Sequence, residues 1–419
     1  MQIARSISGM MALGMYLSGL IHRDRLFDIA SRWLADRVQA DDGKILTEIF
    51  AFERAITAPS VRALVADLVR SARPGPLQLR RVETKDAVRR AIVAAVTDPS
   101  VRAEQLLVHY QEFPEEFFPR TPVHMSLVSR DDGSLVGMIR RKRLRRIADK
   151  VSRKVADQLA GEIEAAARSL AEARAGSAGI PLDRMVSSRQ QMDAEFAAAE
   201  RIVADRIRTG QITLDPDRVR VDDVIGIKIL GTRNELARVE TALDERDGTF
   251  ACQSEVHEGS YTGTHYLVDL ELPPVEQILG QLNGVDWSFT KGRGLSAYHL
   301  EESFVDYLTS GSSTFRVELI LTTLDDLVES EFGRCIHEVR IVEQRDRATY
   351  SGRIAQNASS IIEYMLHLAI SPTVRIDDLP IKVWGRYLRD TVAHALAQLR
   401  HDANEEWLVP DERGSSMTL

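Results

Sequence analysis

The chain has 419 residues, 44% of them hydrophobic and 28% charged, enough apolar material for a sizeable core divided among two or three domains. A formal net charge of -8 and a pI near 5.8 exclude wholesale coating of nucleic acid, while leaving room for a local basic surface. Two cysteines, Cys252 and Cys335, lie far apart without CxxC spacing, which excludes a disulfide framework and a structural zinc knot and fits a reducing cytoplasm.

Taken in chain order, the first feature is the apolar run Ile7 to Ile21, which follows Arg5 and is closed by His22, Arg23, Asp24 and Arg25. It is shorter than the about 20 apolar residues that a bilayer span requires and lacks a convincing cleavage site, so it reads as a buried helix. No other segment approaches membrane-spanning length, and no membrane partner is expected. Helical periodicity then covers Leu26 to Val38, Ile45 to Thr57, Val61 to Arg70, Lys85 to Val96 and Val101 to Tyr110. Proline-rich breaks follow at 72–76 and 112–119, and the second is read as the end of an N-terminal helical domain, 1–119. That region offers no metal or nucleophile constellation.

Val123 to Val128, followed by Asp131-Asp132-Gly133, reads as a short strand and turn. The basic run from Arg140 to Lys154 interleaves with Leu144, Ile147, Val151 and Val155 at helical spacing. One amphipathic helix with a cationic outer face is therefore expected, able to meet RNA, nucleotide phosphates or an acidic partner protein, or simply to be solvated. With its connector it forms a unit at 120–184. A second helix is expected from Ser187 to Thr209.

The region 185–346 alternates strand and helix: a strand at Val221 to Leu230, a helix at Asn234 to Asp244, strands near Phe250 to Val256 and His265 to Leu272, and a helix at Val275 to Leu282. Segments at 298–305 and 315–321 and a helix from Leu324 complete it. The pattern predicts an α+β fold with a mixed-sheet core flanked by helical regions. Helices at Arg353 to Ala369 and Val383 to Arg400 fall in the last unit, 347–419, whose end from Pro410 reads as disordered.

Two of these strands carry one carboxylate each beside an apolar run, Asp223 in VDDVIGIKIL and Glu318 in FRVELILTT. Paired carboxylates suit Mg²⁺ and a polyphosphate, because hard oxygen ligands hold the cation while it neutralises phosphate charge. The histidines and cysteines have no zinc-site spacing, and there is no Walker loop, dinucleotide fingerprint or nucleophile elbow.

The order Asp, apolar, Gly-Ile-basic-Ile at Asp223, Gly226 and Lys228 resembles the first acidic strand of RelA/SpoT-type pyrophosphokinases, and Val317-Glu318-Leu319 resembles their later acidic strand. The resemblance covers about Met185 to Arg340 and implies a nucleotidyltransferase-like core that uses Mg²⁺ and moves pyrophosphate from ATP to GDP, GTP or tRNA. It implies catalytic and metal-binding roles for Asp223 and Glu318, and nucleotide contacts for Arg189, Lys228, Lys291, Arg293, Tyr298 and His299. Two segments answer to the family's acceptor-binding motif, Gly294 to His299 and Gly263 to Leu267. Neither has the stacking Tyr in its usual place, and Lys228 stands where the family has Arg. These departures leave open a catalytically degenerate nucleotide sensor or scaffold with the same fold.

Overall fold

The computed structural model describes residues 22–257, 262–282, 297–333, 352–371, 374–401 and 417–418. Its backbone is an α+β arrangement built on one mixed sheet. The strands are β1 (Leu77–Thr84), β2 (Pro122–Arg130), β3 (Leu135–Arg141), β4 (Ile225–Leu230), β5 (Thr249–His257), β6 (Gly263–Glu271), β7 (Thr314–Thr322) and the two-residue β8 (Met417–Thr418). They lie in the order β5-β6-β7-β4-β3-β2-β1-β8. Only β4 and β7 pair in parallel; the other neighbours are antiparallel.

The sheet is covered on both faces, which is why the central strands carry apolar residues in both directions. On one face Phe315, Val317, Leu319 and Ile227, each fully buried, meet α1 (Arg23–Leu34), α2 (Asp42–Ala72), α5 (Leu144–Ser177) and α12 (Arg353–Leu368). Burial of each such side chain is worth about 1.5–3 kcal/mol. On the other face Met138, Leu127 and Leu230 pack with α3 (Lys85–Ala95), α4 (Val101–Glu112) and α11 (Leu324–Phe332) through Ile92, Leu107 and Leu327. The remaining helices are α6 (Arg189–Arg208), α7 (Pro216–Val219), α8 (Arg233–Glu245), α9 (Val275–Leu282), α10 (Ala297–Ser310) and α13 (Arg389–His401).

Several expectations change. The helices expected at 45–57 and 61–70 are one helix, α2, with Pro59 inside it. Ala55 and Ile56 before the proline and Val61 and Leu64 after it are all buried, and that burial exceeds the roughly 3 kcal/mol cost of an internal proline. The proline-rich stretch that follows α2 leads into β1, so the residues up to 119 are not purely helical. Because β1, β2 and β3 hydrogen-bond into the same ladder as β4 and β7, the units 1–119, 120–184 and 185–346 share a single sheet. The basic run divides: Arg140 and Arg141 end β3, and the helix begins only at Leu144. Residues 298–305 are helical, and α13 starts at Arg389 rather than Val383. Met417 and Thr418, expected in a disordered end, pair with Leu79 and Gln78. No helix among the described residues is long and apolar enough to cross a membrane; Ile7 to Ile21 lies outside them.

Candidate functional site

Three strands meet in one row at the start of β4. Arg140 on β3 is paired with Gly226 on β4, which is paired in turn with Glu318 on β7. Neighbouring strands are about 4.8 Å apart, so Arg140 and Glu318 face each other across a residue with no side chain. A Cβ at position 226 would come 3.4 Å from Arg140 Nη2 and 3.7 Å from Glu318 Oε2. Any longer side chain there would fill the gap between them.

Asp223 precedes β4, in the turn that delivers the chain to that row. Arg140 Nη2 lies 4.0 Å from Asp223 Oδ2 and 3.8 Å from Glu318 Oε2. The two sequence-selected acids therefore share one guanidinium and are no farther apart than those two contacts laid end to end. Lys150, one turn and a half into α5, places Nζ 3.0 Å from Asp223 Oδ1 and 2.9 Å from Oδ2. Lys142, in the link between β3 and α5, also contacts Asp223 Oδ2. On the other side His265 Nδ1, from β6, is 3.7 Å from Glu318 Oε1, an electrostatic contact longer than a hydrogen bond.

The charges answer one another. Burial by itself would raise the Asp223 carboxyl, but Lys142 and Lys150 outweigh it and hold the group well below the usual carboxylate range. Glu318 behaves alike: burial raises it, and the neighbouring His265 and Arg140 bring it below its ordinary value. Burial pushes the Lys142 ammonium down to about 7, opposed by Asp223 and reinforced by Arg140 and Lys150. Both acids are thus ionised near neutral pH, with Arg140 and Lys150 cationic beside them and Lys142 only partly protonated. Among the described residues there is no cluster of three or more His, Cys, Asp or Glu able to hold a metal. A two-carboxylate donor set fits Mg²⁺ that keeps water and phosphate ligands, as that ion usually does, and does not fit an all-protein cage.

The other expected residues are distributed differently. Lys228 shares the site's face, but its Nζ is 3.3 Å from Glu331 Oε1 and 3.4 Å from Ser330 Oγ on α11. Arg189 opens α6 and is exposed. The neighbouring Ser187 is bound by Arg174 of α5, roughly 36 Å along that helix from Lys150 at 1.5 Å per residue, so Arg189 is not brought to the acids. Tyr298 and His299 begin α10, which packs on the opposite face of the sheet through Phe304 and Tyr307. Lys291 and Arg293 lie outside the described residues. Of the two acceptor-motif segments, the one the structure brings to the acids is Gly263 to Leu267, through His265.

The sequence singles out none of Arg140, Lys142, Lys150 and His265 by itself, although the first three stand in the basic run and His265 in the Gly263 to Leu267 segment. The basic run is expected as one helix, whereas Arg140 and Arg141 belong to the end of β3 and the helix begins at Leu144, so spacing alone does not bring Arg140 to Asp223. In the structure much of that charge turns to its own chain: Lys154 binds the Arg220 carbonyl and Arg146 pairs with Asp149 at 3.6 Å. No family model, no curated protein and no solved structure matches the chain.

Proposed function

We propose that this site is a RelA/SpoT-like pyrophosphokinase centre, moving the β,γ-pyrophosphate of ATP to a hydroxyl of GDP, GTP or the end of a tRNA. The observation that carries the reading is the sharing of Arg140 by Asp223 and Glu318, with Lys142 and Lys150 beside them. Phosphoryl transfer requires little covalent help from a protein; it depends on positioning and on charges already arranged where the phosphates will lie. In the reaction the acceptor oxygen forms a bond to the β-phosphorus, the bond from that phosphorus to the α,β-bridging oxygen breaks, and AMP leaves with the electron pair. Arg140, Lys142 and Lys150 bind and orient the phosphate chain. Glu318, ionised, takes the proton of the attacking hydroxyl as the new bond forms and fixes its direction, and His265 holds Glu318 in place. Mg²⁺, held by Asp223 and Glu318 together with the phosphates, would supply further charge neutralisation. These substrates are cytoplasmic, and the proposal assigns the protein to that compartment.

A second reading is a nucleotide sensor without catalysis. The direct contacts of Lys142 and Lys150 with Asp223 favour it, since they already neutralise the carboxylate a metal would use. Incubating the full chain with γ-labelled ATP, Mg²⁺ and either GDP, GTP or bulk tRNA separates the two. Transfer of label by the wild type, reduced about 100-fold or more in Asp223→Asn and in Glu318→Gln, is the expected outcome. Bound ATP with no labelled acceptor in any arm leaves the sensor.

A further inference from the structure

The residue after Arg140 faces the other way, because successive residues of a strand point to opposite faces. Arg141 therefore projects from β3 to the face covered by α2, where it is paired across the ladder with His124 of β2. Arg81 of β1 shares that face through its pairing with Ser126, and α2 presents Arg54, Ala58 and Arg62 at successive four-residue intervals, one stripe of the helix. Together they line a groove that also includes Leu79 and Ile139. The groove is open to solvent, and its free volume is about 40 Å³. That volume has room for about three waters by the usual measure, enough to seat one phosphate group of a chain whose remainder extends along the open groove.

Four guanidiniums converge on one side of the sheet here. Arg81 Nη2 is 3.4 Å from Glu83 Oε1, an acid whose side chain is largely exposed. Burial, and after it the positive charge of Arg54, Arg143 and Arg81, pushes His124 down to about 4. Arginine rather than lysine is the side chain suited to planar, bidentate recognition of phosphate oxygens.

We propose that this groove is a second anion site, distinct from the Asp223–Glu318 site and on the reverse face of the same strand, that binds the phosphate chain of a small polyphosphate through Arg54, Arg62, Arg81 and Arg141. Recognition is of the phosphates, so a free polyphosphate and a nucleoside polyphosphate are equivalent ligands. Adjacent residues of β3 serve the two sites, Arg140 one and Arg141 the other. The inference does not depend on the transfer reaction.

The test is a titration of the full-length chain with inorganic tripolyphosphate, and separately with ATP, both without Mg²⁺. Calorimetry is paired with the imidazole proton resonance of His124, identified by its disappearance in His124→Gln. The wild type is expected to show the His124 shift with similar affinities for both ligands, and Arg140→Gln to keep that shift at the same ligand concentrations whatever heat it loses at the Asp223–Glu318 site. The Arg62→Gln, Arg81→Gln double variant is expected to lose at least tenfold. Binding heat without a His124 shift would mean that only the Asp223–Glu318 site is occupied, and overturns the proposal. So does a shift with ATP alone, which would make the base rather than the phosphates the recognised group. Should the double variant fail to fold, Arg62→Gln alone is expected to weaken binding at least threefold, and unchanged affinity overturns the proposal. Persistence of the shift in Asp223→Asn separates this outcome from that of the transfer reaction.

Discussion

At Asp223 one carboxylate meets Lys142, Lys150 and Arg140, so its removal leaves cations facing one another. Breaking a pair of this kind by deleting one partner costs more than the pair contributes, because the remaining charge stays desolvated. Asp223→Asn is expected to destabilise the fold by roughly 2–4 kcal/mol, and Lys142→Met in the Asp223→Asn background to recover part of it; thermal melts of the two variants measure this. His124 gives a pH dependence of defined sign. Its folded pKa, about 4, lies below the ordinary 6.5, so between those values the unfolded chain binds more protons. Its contribution to stability is complete above about 6.5 and is lost as pH falls toward 4, by about 3 kcal/mol at most. Denaturant midpoints of wild type and His124→Gln across that window are expected to converge as pH drops. Asp223 and Glu318 were legible in the sequence because each interrupts an apolar run with a carboxylate. Arg140 was not, since an arginine at the end of a strand and one at the start of a helix look alike when both belong to one basic run.

Between elements, Arg89 has the part that Arg140 has in the site. It is 1% exposed, donates through Nε to the Glu331 carbonyl at 3.1 Å and through Nη1 to the Phe117 carbonyl, and lies 5.4 Å from the Phe117 ring centroid. It thereby fastens α3 to the end of α11 and to the turn before β2. Arg89→Ala removes the donors of two carbonyls and a cation–π contact, with an expected loss of roughly 3 kcal/mol in melting experiments. Most helices were legible from periodicity, and β4 and β7 from their apolar runs. The strand β1, LQLRRVET, was not: its inward Leu77, Leu79 and Val82 do not keep a strict alternation, and it exists because β2 and β8 pair with it on either side. That information is non-local, as it is for the row Arg140–Gly226–Glu318, which joins residues far apart in the chain.

On the scale of the whole molecule, one sheet ties residues 77–322 together. A fragment of residues 185–346 is therefore expected not to fold, since it would expose β4 along the edge where β3 now pairs and would lose α2 and α5 from the core. Circular dichroism of that fragment with no cooperative melt is the expected result; a cooperative melt would show an independent domain. The α+β class and the mixed sheet were readable from alternation of strand and helix, whereas its full width was not, because three of its strands precede the segment that carries the acids. The measurement that bears most directly on the account is the affinity of the full chain for ATP with and without Mg²⁺, in wild type and in Asp223→Asn. If Asp223 serves the polyphosphate, Mg²⁺ tightens binding in the wild type and the gain disappears in the variant. Affinity that ignores Mg²⁺ in both proteins, or a variant that binds Mg²⁺-ATP as well as the wild type, would mean that Asp223 only neutralises its lysines, and would contradict the proposed centre.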